Sequence, residues 1–159
     1  MLVLDDVHTY YGKSHILHGV SIEVRAGEVV GLLGRNGVGK STTLKTVMGL
    51  VRPSEGHVTF EGREIGGLAS HHVAHLGIAW VPEDRRIFKL LSVMETHATV
   101  ELVRRIAANL TILIVEHDME VVMGLAHRIT VLHYGQVLAE GSPAEIQANP
   151  RVQEVYLKT

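Results

Sequence analysis

Apolar and polar positions alternate along this chain in short blocks that change period several times. Leu2 to Val7 reads as a strand. Val20 to Val24 sets Ile22 and Val24 on one face and Glu23 on the other, the period of a half-buried strand. Ala26-Gly27 turns the chain. Val29-Val30-Gly31-Leu32-Leu33 is apolar throughout and runs into a glycine-rich loop, as a strand buried on both faces of a parallel sheet does. Ser41 to Leu50 follows as a helix, with Leu44, Val47, Met48 and Val51 at core spacing and Gly49 and Pro53 at its end.

Past that helix the blocks shorten. Val58 to Phe60, Glu61-Gly62 and Arg63 to Ile65 read as strand, turn and short strand. Ser70 suits the cap of a short helix carrying Val73, Ala74 and Leu76. Ile78 to Val81 predicts a strand stopped by Pro82. Thr99 suits the cap of a helix with Val100, Val103, Ile106, Ala107 and Leu110 on one face. Thr111 to Val115 predicts a buried strand, and Asp118 a cap for a helix through Val122, Met123 and Ala126. Ile129 to Leu132 and Gln136 to Ala139 predict a hairpin around Tyr134-Gly135. Pro143 opens a short helix through Ile146, and Val152 to Leu157 ends the chain.

The 159 residues suffice for one domain with a core. Hydrophobic residues at 46% and charged residues at 20% make the composition globular. Fifteen Lys and Arg against seventeen Asp and Glu give a net charge of -2, which excludes a nucleic-acid binder held by overall charge. No nucleic acid is expected as a partner. With no cysteine, disulfides, thiolate metal sites and cysteine nucleophiles are excluded. No apolar run approaches a spanning helix, and the acidic start, with Asp5 and Asp6, is unlike a signal peptide. A cytosolic location is the expectation.

Gly34-Arg35-Asn36-Gly37-Val38-Gly39-Lys40-Ser41 fits the spacing of a phosphate-binding loop, with a buried strand before it and a helix after it. Backbone N–H groups of residues 37–41 can converge on a β-phosphate at the helix N-terminus. Lys40 can bridge the β- and γ-phosphates, and Ser41 offers its hydroxyl to Mg²⁺. The motif points to a nucleoside triphosphate and leaves open what its energy is used for. The histidines carry less. His71 and His75 are four apart on a short helix with His72 between them, but no further ligand is implied there. His8, His15, His18, His57, His97, His127 and His133 are scattered and need no special role.

Beyond the loop, the chain resembles the ATP-binding subunits of ABC transporters. It is most similar to those of branched-chain amino acid importers or the related urea and amide importers. The likeness runs through Tyr10-Tyr11-Gly12-Lys13, residues 34–42 and Gly77 to Phe88, then resumes with Thr111 to Met119, Ala126 to Leu132 and Gly135 to Gly141. It implies an α/β fold, a P-loop NTPase of the ABC ATPase type, with an N-terminal antiparallel β subdomain. It also implies ATP and Mg²⁺ as cofactors. By this resemblance Tyr11 stacks on adenine, and Gly34, Asn36, Gly37, Gly39, Lys40, Ser41 and Thr42 hold the nucleotide. Ser41 and Glu83 serve Mg²⁺. Lys40, Glu83 and His117 act in catalysis, with His117 at the γ-phosphate. The implied partners are a second ATP-binding subunit, identical or not, and membrane permease subunits. The implied place is the inner face of the cell membrane, as a peripheral subunit.

The family pattern also includes a helical subdomain, a loop beginning Leu-Ser-Gly-Gly and an apolar strand ending in Asp-Glu. None of these occurs in the sequence. The chain reads as one nucleotide-binding domain, residues 1–159, with an apparent internal deletion near residues 97–100, either a true shortening of the polypeptide or an internal stretch of a longer chain missing from this sequence, so the fold is expected to be incomplete. The strand at Val29 to Leu33 then needs another neighbour, for which Thr111 to Val115 is the candidate. Two functional readings follow: an ATP-hydrolysing transport subunit, or a shortened remnant that binds ATP with little hydrolysis. A small-molecule kinase fits poorly, because no lid-like insertion follows Arg85 and Arg86.

Overall fold

The structure is a computed structural model, and it describes residues 1–80, 101, 105, 110–115 and 119–156. Two four-stranded sheets organise these residues. The first is antiparallel, in the order β2-β1-β4-β5. Its strands are β1 (Leu2–Tyr11), β2 (Ser14–Val24), β4 (Glu55–Phe60) and β5 (Arg63–Glu64). The second has the order β6-β3-β7-β8, with β3 (Val29–Leu33), β6 (Ile112–Val115), β7 (Arg128–His133) and β8 (Gln136–Gly141). Here β3 runs parallel to both β6 and β7, and β8 returns antiparallel to β7. Thus β6 supplies the neighbour that β3 needed, with Val30 opposite Leu113 and Leu32 opposite Val115.

The all-apolar sequence of β3 follows from its position. Val30 and Leu32 join the core shared with Leu4, Val7, Leu17, Val20 and Ile22 of the antiparallel sheet. Leu33 joins a second core on the opposite face with Val122, Ile129, Val131, Ile146 and Val152. Gly31 lies on that second face, where a Cβ would come within 2.6 Å of Val122 Cγ1. The close approach lets α3 (Met119–Leu125) pack on the strand.

Several boundaries differ from the sequence reading. β1 runs on to Tyr11 and β2 starts at Ser14, although residues 14–19 have no clean alternation. The cause is three register shifts in the ladder. Asp6 is extra on β1, and Gly19 and Ile16 are extra on β2, so the period of 2 breaks at each bulge. Helix α1 (Lys40–Val47) ends three residues earlier than expected, where Gly49 takes φ 68°. Helix α2 (Ser70–His75) is capped by Ala69 with no side-chain hydrogen bond, so Ser70 is not its cap. Ile78 to Trp80 are not in a strand, and Val81 lies outside the described residues. Leu110 is 51% exposed and does not face a core. Glu101 and Arg105 are helical, while Thr99, Val100, Val103, Ile106, Ala107 and Asp118 lie outside the described residues. At the end of the chain α4 (Pro143–Ala148) and α5 (Pro150–Tyr156) follow β8. The Ser142 side chain and Glu145 form a capping box at α4.

Candidate functional site: a phosphate-binding loop

The loop between β3 and α1 is shaped by what its glycines touch. Gly39 is the N-cap of α1 at φ 112°, a conformation that side-chain-bearing residues rarely adopt. A Cβ on Gly39 would stand 2.7 Å from Leu17 Cδ2 of β2. A Cβ on Gly34 would stand 2.5 Å from Val38 Cγ2 and 2.8 Å from the Leu132 carbonyl oxygen of β7. Gly37, at φ 83°, meets nothing within 4 Å and serves the turn alone. The two sheets therefore clasp the loop from separate sides.

Helix α1 has no side-chain cap and no acidic residue in its first turn. Its first intrahelical backbone bond is Thr43 N–H to the Gly39 carbonyl at 2.8 Å. The first N–H groups of an α-helix find no acceptor within the helix itself, the arrangement that favours an anion. Lys40 is 6% exposed, and its Nζ donates to the carbonyls of Gly34 at 2.6 Å and Arg35 at 3.0 Å. The cation is thereby held over the loop by the loop's own backbone. Ser41 and Asn36 are exposed and Thr42 is buried. Thr43 Oγ1 donates back to Gly39 at 3.0 Å, and Thr46 bonds Thr42 in the same way. Such an assembly can hold a polyphosphate and place a mobile cation on it.

Tyr11 ends β1, is 45% exposed and pairs with Ser14 across the hairpin. The same hairpin reaches the loop through Leu17, and the His18 N–H donates to the Gly135 carbonyl at 2.8 Å. Gly135 N–H in turn donates to the Val38 carbonyl at 3.1 Å. The Tyr134-Gly135 turn thus ties the hairpin to the phosphate loop. Of the other expected site residues, Glu83 and His117 lie outside the described residues. No helix of the described residues is long and apolar enough to cross a membrane.

One supporting residue carried no sequence signal. Tyr156, on α5, is hydrogen-bonded by the Gly34 backbone N–H and lies near Arg35. Burial pushes its hydroxyl pKa up, against the opposing pull of those two groups. Only a tertiary contact brings residue 156 to residue 34. The i, i+4 spacing of Val152 and Tyr156 marks a helix face and does not say what that face covers.

A strand, a glycine loop clasped by two sheets and a helix with no side-chain cap together define a phosphate-loop nucleotide-binding protein. The chain belongs to the ABC transporter family, whose model, described as ABC transporter, matches residues 17–142. A second model, described as Branched-chain amino acid ATP-binding cassette transporter, matches residues 136–157. The high-affinity branched-chain amino acid transport ATP-binding protein BraG of Pseudomonas aeruginosa is 49% identical over 98 residues. That stretch is 62% of this chain and 42% of BraG, so the match spans less than half of that relative. The lipopolysaccharide export system ATP-binding protein LptB of Acidithiobacillus ferridurans is 28% identical, with 92% of each chain covered. Its alignment runs over 222 residues, against the 159 of this chain. Among solved structures, a nucleotide-free ATP-binding cassette from an ABC transporter superposes with a TM-score of 0.85 at 20% identity, covering 100% of this chain and 99% of the other. An ATP-binding cassette in its ADP conformation gives 0.86 at 19% identity, with the same shares covered. These two establish the fold: a mixed α/β P-loop NTPase of the ABC ATPase type with an antiparallel β subdomain.

Proposed function

We propose that this chain is the ATP-binding and ATP-hydrolysing subunit of an ABC importer for branched-chain amino acids. The carrying observation is the phosphate loop, with Lys40 held at 2.6 Å by the Gly34 carbonyl and with no side-chain cap and no acidic residue on the first turn of α1. The importer class is supported by the match at residues 136–157 and by the likeness to BraG. In this reading MgATP lies along residues 34–42, with Tyr11 stacked on adenine. Lys40 neutralises the β- and γ-phosphates, Ser41 and Glu83 hold Mg²⁺, and His117 bonds the γ-phosphate. The subunit works as a dimer, with an identical or paralogous partner, beneath membrane permease subunits.

A second reading has its own observation. The sequence contains no Leu-Ser-Gly-Gly and no Asp-Glu pair, which suits an ATP-binding chain with an internal deletion near residues 97–100 and little hydrolysis. Loss of a general base costs about 10²–10⁴ in rate. Three measurements separate the readings: MgATP titration by calorimetry, phosphate release, and leucine uptake in cells lacking the ATP-binding subunit of their own importer. Binding, turnover and uptake that are all lost in Lys40→Ala support the first reading. Binding without turnover supports the second. Equal MgATP affinity in wild type and Lys40→Ala overturns both.

A further inference from the structure

His8, His15 and His18 are scattered in sequence but meet in the fold, and the bulges of β2 bring them together. Across the β1–β2 ladder His8 is opposite His18 and Tyr10 is opposite His15. His8 and Tyr10 share a face because they are two apart on β1. His15 and His18 are three apart, which on a regular strand sets them on opposite faces. The extra residue Ile16 shifts the register and returns both to the face of His8. The rings then lie side by side. His8 and His15 centroids are 5.2 Å apart, His15 and His18 3.8 Å, and Tyr10 stacks on His15 at 4.1 Å.

Within this group His8 Nδ1 lies 3.1 Å from His15 Nε2. Two imidazole nitrogens bound to one ion at 2.0–2.1 Å stand this far apart when the angle at the ion is roughly 95–100°. The far side of each ring is already held. His8 Nε2 faces Asp6 Oδ1 at 3.4 Å, which favours the tautomer with its proton on Nε2 and turns the Nδ1 lone pair toward His15 Nε2. The His15 ring is hydrogen-bonded to the Leu17 backbone. Partial burial, then the neighbouring His18 and His8, lower the His15 pKa, while Leu17 and Glu55 oppose the shift. A neutral ring is the ligating form.

We propose that His8 and His15 form a binding site for one imidazole-preferring divalent transition ion of the Zn²⁺ class, with Asp6 orienting His8 and water completing the coordination. Among the described residues no group of three or more His, Asp or Glu can surround a metal ion, so the site is a two-ligand, open one. Imidazole nitrogens select Zn²⁺, Cu²⁺ or Ni²⁺ over Mg²⁺, which keeps this ion distinct from the one expected with ATP. An ion there clips β1 to β2, just inside the hairpin end that carries Tyr11.

The test is a calorimetric titration of EDTA-treated, nucleotide-free full chain with Zn²⁺ alone, repeated on single variants whose fold is checked by circular dichroism. One saturable event with a stoichiometry near one ion per chain is expected, together with a rise in melting temperature. His8→Gln and His15→Gln abolish it. Asp6→Asn weakens it by about tenfold, the lower end of the effect of losing an outer-shell carboxylate. Asn also tolerates the positive φ of 48° at this position, so that variant keeps the bulge. His75→Gln on α2 leaves binding unchanged. Zn X-ray absorption on the wild type reads two imidazole scatterers and needs no variant. Absence of saturable Zn²⁺ binding overturns the site and leaves only a proton shared between two rings. Binding that survives His15→Gln, or is lost in His75→Gln, overturns it equally.

Discussion

Gly34→Ala separates the floor of the phosphate loop from its turns. Gly34 has no positive φ, so alanine strains no backbone there, and the whole cost is volume. The added Cβ meets Val38 Cγ2 at 2.5 Å and the Leu132 carbonyl oxygen at 2.8 Å. Val38 can turn aside. Leu132 cannot, because it is fully buried in β7. Overpacking of this kind costs about 1–3 kcal/mol, and a backbone contact puts the value in the upper half of that range. With a urea slope of about 2 kcal/mol per molar, the denaturation midpoint falls by about 1 M. Gly27→Ala is the matched control. Gly27 has φ 70° and nothing within 4 Å, so alanine there costs about 1–2 kcal/mol of backbone strain only. The two variants lose similar stability but differ at the nucleotide. The carbonyl that Lys40 Nζ bonds at 2.6 Å belongs to Gly34, so the Gly34 variant also loses MgATP affinity, while the Gly27 variant keeps it. Adding Val38→Ala to Gly34→Ala removes one of the two clashes and restores part of the midpoint. A Gly34 variant with native midpoint refutes the closed floor. One with a lowered midpoint and full affinity refutes the coupling of Gly34 to Lys40.

Three further changes test the supports of the site. Tyr156→Phe strips the hydroxyl from the Gly34 N–H and is expected to cost about 1–2 kcal/mol, read as a lower urea midpoint. Arg128 donates to both oxygens of Glu28, at 3.0 and 3.1 Å, to Glu140 at 2.6 Å and to the Glu23 carbonyl. Arg128→Met leaves Glu28, 13% exposed, without its cation, so a loss of about 3–5 kcal/mol is expected, and Glu28→Gln in the same chain recovers part of it. Burial alone raises the Glu64 pKa, but the Gly66 N–H, the His57 ring and the Val58 N–H outweigh it and hold the carboxyl below its ordinary 4.5. Its stabilising effect is therefore present above pH 4.5 and disappears as the pH falls through the lowered value. Glu64→Gln should flatten the urea midpoint over that acid range and nowhere else.

What the sequence showed and what it hid divide along physical lines. β3 was legible because burial on both faces demands an unbroken apolar run, and the loop because its function demands glycines at fixed spacing. The hairpin β7–β8 was legible from the two short blocks Ile129 to Leu132 and Gln136 to Ala139 on either side of Tyr134-Gly135. The β1–β2 ladder was read only in part. Each bulge moves later side chains to the other face, so a period of 2 cannot be followed from Leu2 to Tyr11 or from Ser14 to Val24. The meeting of His8 with His15 was hidden for the same reason. Tyr156, Leu132 and Gly135 were hidden for another. They support the loop through contacts spanning about a hundred residues, and no local pattern encodes the partner of a helix face or of a turn carbonyl.

These supports also bear on how binding and hydrolysis are divided along the chain. Among the described residues, the contacts that shape the phosphate loop come from two stretches, residues 16–43 and residues 132–156. Leu17 closes on Gly39, Leu132 on Gly34, Gly135 bonds Val38, and Tyr156 bonds Gly34. From the middle of the chain, the loop's own strand β3 is braced by β6, which pairs with it, and by α3, whose Val122 lies against Gly31. The residues expected to act on the γ-phosphate, Glu83 and His117, belong to that middle. So does the position where the sequence lacks an Asp-Glu pair. The shaping of the phosphate loop therefore belongs to the two outer stretches, while turnover is expected to depend on the middle. It follows that substitutions at Leu17, Gly34, Gly39 or Tyr156 should change MgATP affinity and any phosphate release together. His117→Ala should lower release with little change in affinity for ADP, which carries no γ-phosphate. A His117 variant that binds ADP as weakly as a Lys40 variant would place both residues in one binding unit and undo this division.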